Sequence, residues 1–118
     1  MNNLSIDTYE NKLNILNIKI IEFLDLLNVI IKNENITKCK NKIKLALLYD
    51  VNIIYDLCEK HITDYKNDIL NKNDKVLIDI EKNILNNEIK LYNTWNTIEK
   101  DNKIIIWKYL NLFLLLVS

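Results

Sequence analysis

Few residues in this 118-residue chain could take part in catalysis or metal binding. The single histidine, His61, lies three residues after Cys58 and three before Asp64, so on a helix the three would share one face. Such a group could supply part of a zinc site. A structural zinc needs four ligands, and the only further cysteine is Cys39. We therefore predict no metal site and interpret both cysteines as buried thiols in a reducing compartment.

Catalytic motifs are restricted by the composition, because the chain contains no Gly, no Pro and no Arg. Phosphate-binding loops, dinucleotide fingerprints and nucleophile elbows all require glycine. A nucleophile pair of His61 with Cys39 or Cys58 would lack a glycine-built oxyanion hole, and the only serines are Ser5 and Ser118. We predict that the protein is not an enzyme and that it binds no cofactor.

One basic cluster could bind an anion. Its members fall within seven residues: Lys38, Lys40, Lys42 and Lys44. They could contact the phosphates of a nucleic acid or an anionic membrane surface, or they could simply form the solvated start of a helix. The whole chain has 16 Lys and 16 acidic residues, and this zero net charge disfavours nucleic acid as the partner.

Helices must position these side chains, and the first helix has the clearest pattern. Apolar residues are spaced alternately by three and four positions, as in a heptad repeat: Ile6, Tyr9, Leu13, Leu16, Ile20, Phe23, Leu27 and Ile30. The pattern predicts a helix from about Thr8 to Lys32, with Asp7 as its N-cap and Glu10 completing a capping box. A second apolar line widens the stripe, so we expect this helix to contact more than one neighbour.

A second helix follows the polar cluster of residues 33–35. Its apolar positions continue to about residue 70, with a drift near residues 61–64. We predict one continuous helix over residues 37–70 with an irregularity at the drift. The alternative is that the helix bends or breaks there.

Two further helices follow the polar clusters of residues 71–74 and 99–102. In the third helix Asn87 or Glu88 interrupts the apolar seam, where a polar residue either fixes the register or marks a solvated helix end. Short loops between long helices favour antiparallel neighbours. We predict one all-α domain over residues 1–118, an antiparallel bundle of about four helices.

The last predicted helix, residues 103–117, is apolar on nearly every face. It is too short to cross a membrane, so it is a buried core helix, an oligomer interface or a membrane-contacting helix. Trp107 should pack against Trp95 near the preceding corner. The residues that we predict to contact a partner all lie on this helix: Trp107, Tyr109, Leu112, Phe113 and Leu116.

The tyrosines could instead form a platform on which bases stack, but such platforms need a basic groove. Four tyrosines lie among Ile, Leu and acidic residues: Tyr49, Tyr55, Tyr65 and Tyr92. We predict that they lie at the boundary of the core.

The C-terminal segment contains Trp95, a polar turn, and then Ile106-Trp107-Lys108-Tyr109-Leu110 before an apolar stretch. This order is similar to a segment in short proteins of large nucleocytoplasmic DNA viruses. The resemblance covers about 24 residues and implies a viral source, but it brings no catalytic residues and no assigned activity. The abundance of Asn, Ile and Lys is typical of an AT-rich genome, which agrees with such a virus and equally with an AT-rich protist.

These patterns favour a small non-enzymatic helical protein that acts through protein–protein contact. It would be a viral structural or assembly component, or a modulator of host proteins. The alternatives are a nucleic-acid-associated protein using the lysine cluster and a protein that binds membranes peripherally through its last helix. We expect an intracellular location, since no secretory pattern occurs in the first ten residues, and a protein partner or self-association, since the net charge is zero.

Overall fold

The computed structural model describes residues 8–83, 85 and 89–118. Within these residues the chain forms α-helices and two 3-10 turns and no strand, which confirms the predicted all-α class. The α-helices are α1 (Tyr9–Ile31), α2 (Glu34–Tyr49), α3 (Ile53–His61), α4 (Lys66–Leu70), α5 (Val76–Asn83), α6 (Leu91–Thr94) and α7 (Lys100–Val117). The 3-10 turns are Thr63–Tyr65 and Trp95–Thr97.

Helix α1 forms where the heptad pattern predicts it. Its N-cap is Thr8, whose hydroxyl oxygen accepts a hydrogen bond from the backbone N–H of Asn11 at 3.2 Å; this satisfies one of the donors that a helix start leaves without a partner. The predicted cap Asp7 lies outside the described residues, as do Asn87 and Glu88. The buried stripe of α1 consists of Leu13, Leu16, Ile20, Phe23, Leu24 and Leu27.

Helix α1 lies at the centre of the fold and packs against α2, α3 and α7. On the α2 side, Lys40 pairs with Asp25 at 2.6 Å, and the side-chain amide of Asn17 donates to the carbonyl of Val51 at 3.0 Å. The end of α2 therefore lies beside the first half of α1.

Helix α7 packs on another side of α1. The ring of Phe23 contacts the rings of Tyr109 and Phe113, with centroids 5.3 Å and 5.5 Å apart. Trp107 lies edge-on to Trp95 at 5.7 Å, as predicted for the corner before α7. The buried face of α7 consists of Ile106, Trp107, Leu110, Phe113, Leu114, Leu116 and Val117.

The prediction of one continuous helix over residues 37–70 is wrong. Helix α2 ends at Tyr49, and α3 begins only at Ile53. Between them the Asp50 carboxylate accepts the backbone N–H of Asn52 at 2.9 Å, a local turn that competes with helix continuation. The second interruption, the Thr63–Tyr65 turn, falls where the sequence predicts an irregularity. The described chain therefore has more and shorter helices than the four predicted.

Two lysines adopt the left-handed conformation that glycine adopts most easily. Lys32 ends α1 with φ 56° and ψ 51°, and Lys72 follows α4 with φ 54°. The backbone N–H of Lys32 donates to the carbonyl of Asn28 at 2.9 Å, which closes the helix. Because this chain contains no glycine, a residue with a Cβ atom must carry the steric cost of the turn.

We expect Lys32→Gly to stabilise the fold by roughly 0.5–1 kcal/mol. Glycine removes the steric cost of a positive φ, and the extra conformational entropy that it gives the unfolded chain offsets only part of this gain. Urea unfolding measures the change. The control is Lys108→Gly at an exposed position inside α7, which should destabilise by about 1 kcal/mol. Equal destabilisation by the two glycines would contradict the prediction.

A buried carboxylate joins α5 to α6. Glu81 on α5 is buried, and its carboxylate accepts the backbone N–H of Tyr92 in the first turn of α6. Lys90, the N-cap of α6, makes no side-chain capping bond, so Glu81 supplies the acceptor from a different helix. Burial raises the pKa of the Glu81 carboxyl above its ordinary value of 4.5, and the Tyr92 N–H and the Lys90 charge oppose this change.

The raised pKa of Glu81 makes stability depend on pH. Because the folded state binds this proton more tightly, the free energy of unfolding should fall as pH rises from about 4.5 through the raised pKa. Glu81→Gln keeps an acceptor oxygen for the Tyr92 N–H without the charge, so it should lose this pH dependence and be at least as stable as the wild type at pH 7. Urea unfolding at several pH values checks this.

Glu81→Ala serves as the matched control, since it removes both the charge and the acceptor. It should destabilise the protein at every pH, by about 1–3 kcal/mol for the unpaired N–H. A pH profile of Glu81→Gln that matches the wild type would refute the assignment to this carboxyl.

Candidate interaction surface

The residues that could do chemistry do not form a site. Cys58 is fully buried in α3, His61 is half-buried at the end of that helix, and Asp64 is exposed in the following 3-10 turn. Burial raises the pKa of the Cys58 thiol to about 12, so at neutral pH it is not the thiolate that a nucleophile or metal ligand requires. Across the described residues, no three His, Cys, Asp or Glu side chains are placed to hold a metal ion.

The structure divides the predicted partner-contact residues of α7 into two groups. Trp107, Phe113 and Leu116 are buried in the core, 2–6% exposed. A docking surface needs accessible side chains, so these three serve the packing of this chain. Tyr109 and Leu112 are half-buried and remain reachable from solvent. The prediction that α7 contacts a partner remains a prediction, and these two residues are the part of the predicted set that could carry it.

Tyr109 and Leu112 line a small depression of about 150 Å³ together with Lys19 and Lys108. Glu22 accepts hydrogen bonds here from Lys19 Nζ at 3.0 Å and from the Tyr109 hydroxyl at 3.3 Å. Desolvation and the nearby Glu22 carboxylate raise the pKa of the Tyr109 hydroxyl. Lys19 and Tyr109 thus both bind Glu22, and the shallow shape of the depression offers little enclosed volume to a ligand.

The predicted anion-contact lysines lie on α2 and do not converge. Lys38, Lys42 and Lys44 are exposed, whereas Lys40 is half-buried and bound to Asp25. At 100° per residue Lys42 and Lys44 fall on opposite flanks of the solvent-facing side of α2. The cluster therefore borders an outward helix face and does not form one pocket for an anion.

The most exposed apolar surface lies at the end of α2, and the sequence analysis missed it. Leu48 is 84% exposed and Tyr49 is 87% exposed, which contradicts the predicted core-boundary position of Tyr49. Of the other three tyrosines, Tyr55 is buried, and Tyr65 and Tyr92 are half-buried. We name the α2 patch by its four exposed members: Leu45, Leu48, Tyr49 and Val51.

A sequence signal for the α2 patch does exist. The run Leu45-Ala46-Leu47-Leu48-Tyr49 is apolar on every face of a helix, although the buried seam needs only Ile43 and the partly buried Leu47. Because α2 has fewer packing partners than α1, part of this run must stay in solvent. Single exposed apolar residues need no explanation, but an adjacent group of this kind is typical of an interaction surface.

Acidic side chains lie at and beyond the C-terminal end of the α2 patch. Asp50 follows the last residue of α2 and is exposed, as are Asp56 and Glu59 on α3. Desolvation and then the charges of Asp56, Glu59 and Asp50 raise the pKa of the Tyr9 hydroxyl. The Tyr9 hydroxyl donates to Asn52 in the turn after α2. The α2 patch therefore has lysines before it and carboxylates after it.

A second concave region lies between the end of α1 and the start of α7, with a volume of about 430 Å³. Its apolar wall includes Leu26, Val29, Ile30 and Ile98, and its rim includes Lys32, Glu99 and Asn102. Lys32 and Glu99 are the charged residues of its lining, which contains no His or Cys and no pair of carboxylates that would identify a reaction.

Comparisons with known proteins found no matching family model, no matching curated protein and no matching solved structure. Among the described residues, no helix combines the length and apolar character needed to cross a membrane.

Both thiols should resist modification in the folded protein, because Cys39 and Cys58 are 4% and 0% exposed and burial raises the pKa of Cys58. With an aromatic disulfide reagent at pH 8 we expect reaction to follow unfolding, and two thiols per chain to react at once in denaturant. An engineered cysteine at exposed Asn67 is the control for reagent access. Rapid labelling of the native wild type would show that α3 opens more readily than its packing implies.

Proposed function

We propose that this protein is non-enzymatic and acts by binding another protein surface through the α2 patch. The observation that carries the proposal is the near-complete exposure of the neighbouring Leu48 and Tyr49. Burial of a large apolar side chain contributes about 1.5–3 kcal/mol, so covering the patch can supply several kcal/mol toward binding. Tyrosine is enriched at such surfaces because it offers a large apolar ring with a polar tip.

We propose an intracellular role as a viral structural or assembly component or as a modulator of host proteins. The resemblance of residues 106–110 to proteins of large nucleocytoplasmic DNA viruses supports the viral part of this proposal. Buried, reduced thiols support the intracellular part, because oxidising compartments favour disulfides.

We also propose an antiparallel arrangement for the helices that pack on α1. The hydrogen bond from Asn17 to Val51 and the ion pair of Asp25 with Lys40 support it for α2, since later residues of α2 meet earlier residues of α1. For α7, Phe23 contacts Tyr109 and Phe113, whereas the end of α1 lines the same cleft as Asn102.

Nucleic-acid binding through the lysine cluster has less support. Lys40 is neutralised by Asp25, and the chain as a whole has no excess of positive charge. Peripheral membrane binding through α7 has less support too, because its Trp107 and Phe113 are buried. A gel shift at two salt concentrations and liposome flotation distinguish these alternatives, since phosphate contacts weaken steeply with salt.

A photo-reactive phenylalanine analogue placed at Leu48 should form a covalent adduct of one defined mass in cells that express the chain. The same probe at Asn67, an exposed polar position on α4, is the matched control and should form none. Leu45→Lys in the chain with the probe at Leu48 should abolish the adduct, since it places a charge within the patch. Equal adducts at both positions, or none at Leu48, would refute the proposed function.

A further inference from the structure

The α2 patch and the charges beside it form a self-complementary surface. We infer that its partner is a second copy of this chain, docked with the two α2 helices antiparallel across a two-fold axis. This inference rests on the proposed function, because it uses the same patch.

The order of side chains along α2 is the first argument. Lys38 and Lys44 precede the patch, and Asp50 follows the last residue of α2, between the patch members Tyr49 and Val51. Lys38 and Leu45 are seven residues apart, two helical turns, so both lie on the outward face. The surface therefore runs from basic through apolar to acidic along one helix axis.

A two-fold axis through the middle of the patch brings the basic end of α2 in one copy to the acidic end of α2 in the other. An isologous interface requires that each residue meets the symmetry-related position of the other copy. With the axis between Leu45 and Leu48, Leu45 of each copy meets Leu48 of the other. Asp50 lies about 5 Å from the axis along the helix and Lys44 about 4 Å on the opposite side, so each Asp50 comes to nearly the same level along the helix as Lys44 of the other copy.

Charge and size set the strength of this contact. The zero net charge means that no long-range repulsion keeps two copies apart. The 16 residues of α2 span about 24 Å, so two such helices make a contact at the small end of specific interfaces. We therefore expect a reversible dimer that forms with increasing concentration.

Sedimentation equilibrium of the full chain over a concentration series tests the contact. The wild type should shift from the 14.1 kDa monomer toward twice that mass. Leu48→Lys should raise the dissociation constant about tenfold or more, as for a central interface residue. The control Val29→Lys, at a 71% exposed position on α1, should leave it unchanged. A dimer that Leu48→Lys does not weaken would overturn the inference.

Charge reversal tests the two-fold arrangement. Lys44→Glu and Asp50→Lys should each weaken their own homodimer, because each places like charges together at both ends. An equimolar mixture of the two variants should restore dimerisation, since every end then pairs opposite charges. No restoration, with both variants folded by circular dichroism, would overturn the arrangement.

Asp50 also accepts the Asn52 N–H, so Asp50→Lys could disturb the turn after α2. Asp50→Asn keeps an acceptor oxygen and loses only the charge, and it should weaken the dimer without affecting unfolding. An unchanged dissociation constant for Asp50→Asn would remove Asp50 from the contact and overturn the pairing. If the wild type stays monomeric at every concentration, the inference that a second copy is the partner is overturned. A photo-adduct at Leu48 whose mass differs from that of a dimer of this chain would still support the proposed function.

Discussion

Burial of the apolar stripe of α1 is the interaction on which the rest of the fold depends. Leu16, Leu24 and Leu27 are completely enclosed, and α2, α3 and α7 all pack against the helix that carries them. Most helical stability in proteins comes from tertiary packing of an apolar face, so α2 and α7, with 16 and 18 residues, need this contact to persist. The connection at Lys32 serves the same contact, because a two-residue turn returns the chain directly along α1.

Helix α1 could be predicted from the sequence because many residues repeat its hydrophobic pattern. In α1 five of the six buried residues follow the alternating spacing of three and four, so a change at any single position would leave the helix recognisable. The break after Tyr49 had no such signal. Val51 continues the apolar pattern, and neither Gly nor Pro marks the turn. The break depends on the Asp50 carboxylate capping Asn52 and on Asn17 bonding the Val51 carbonyl, and the second of these partners is 34 residues away.

The candidate surface shows why apolar character alone does not predict exposure. Helix α7 is the most uniformly apolar segment, and the sequence indicated it as a contact surface, yet it packs against α1, α3 and α4. Those partners cover it on several sides. Helix α2 has a less apolar sequence, and among the described residues it packs mainly against α1 and α3, so Leu45 and Leu48 remain in solvent. Exposure is set by the number of neighbours a helix has, and that number depends on the tertiary arrangement.

Local charge order matters more than total charge in this chain. The pairs of Lys19 with Glu22 and of Lys40 with Asp25 place opposite charges together along α1 and its border with α2. Such exposed pairs add little stability, but they leave those regions without a local excess of either sign. The two ends of the α2 patch differ, because Lys38 and Lys44 lie at its N-terminal end and Asp50 lies at its C-terminal end, between Tyr49 and Val51. In the proposed dimer this separation matters because a charged surface favours a partner that carries the opposite order of charges.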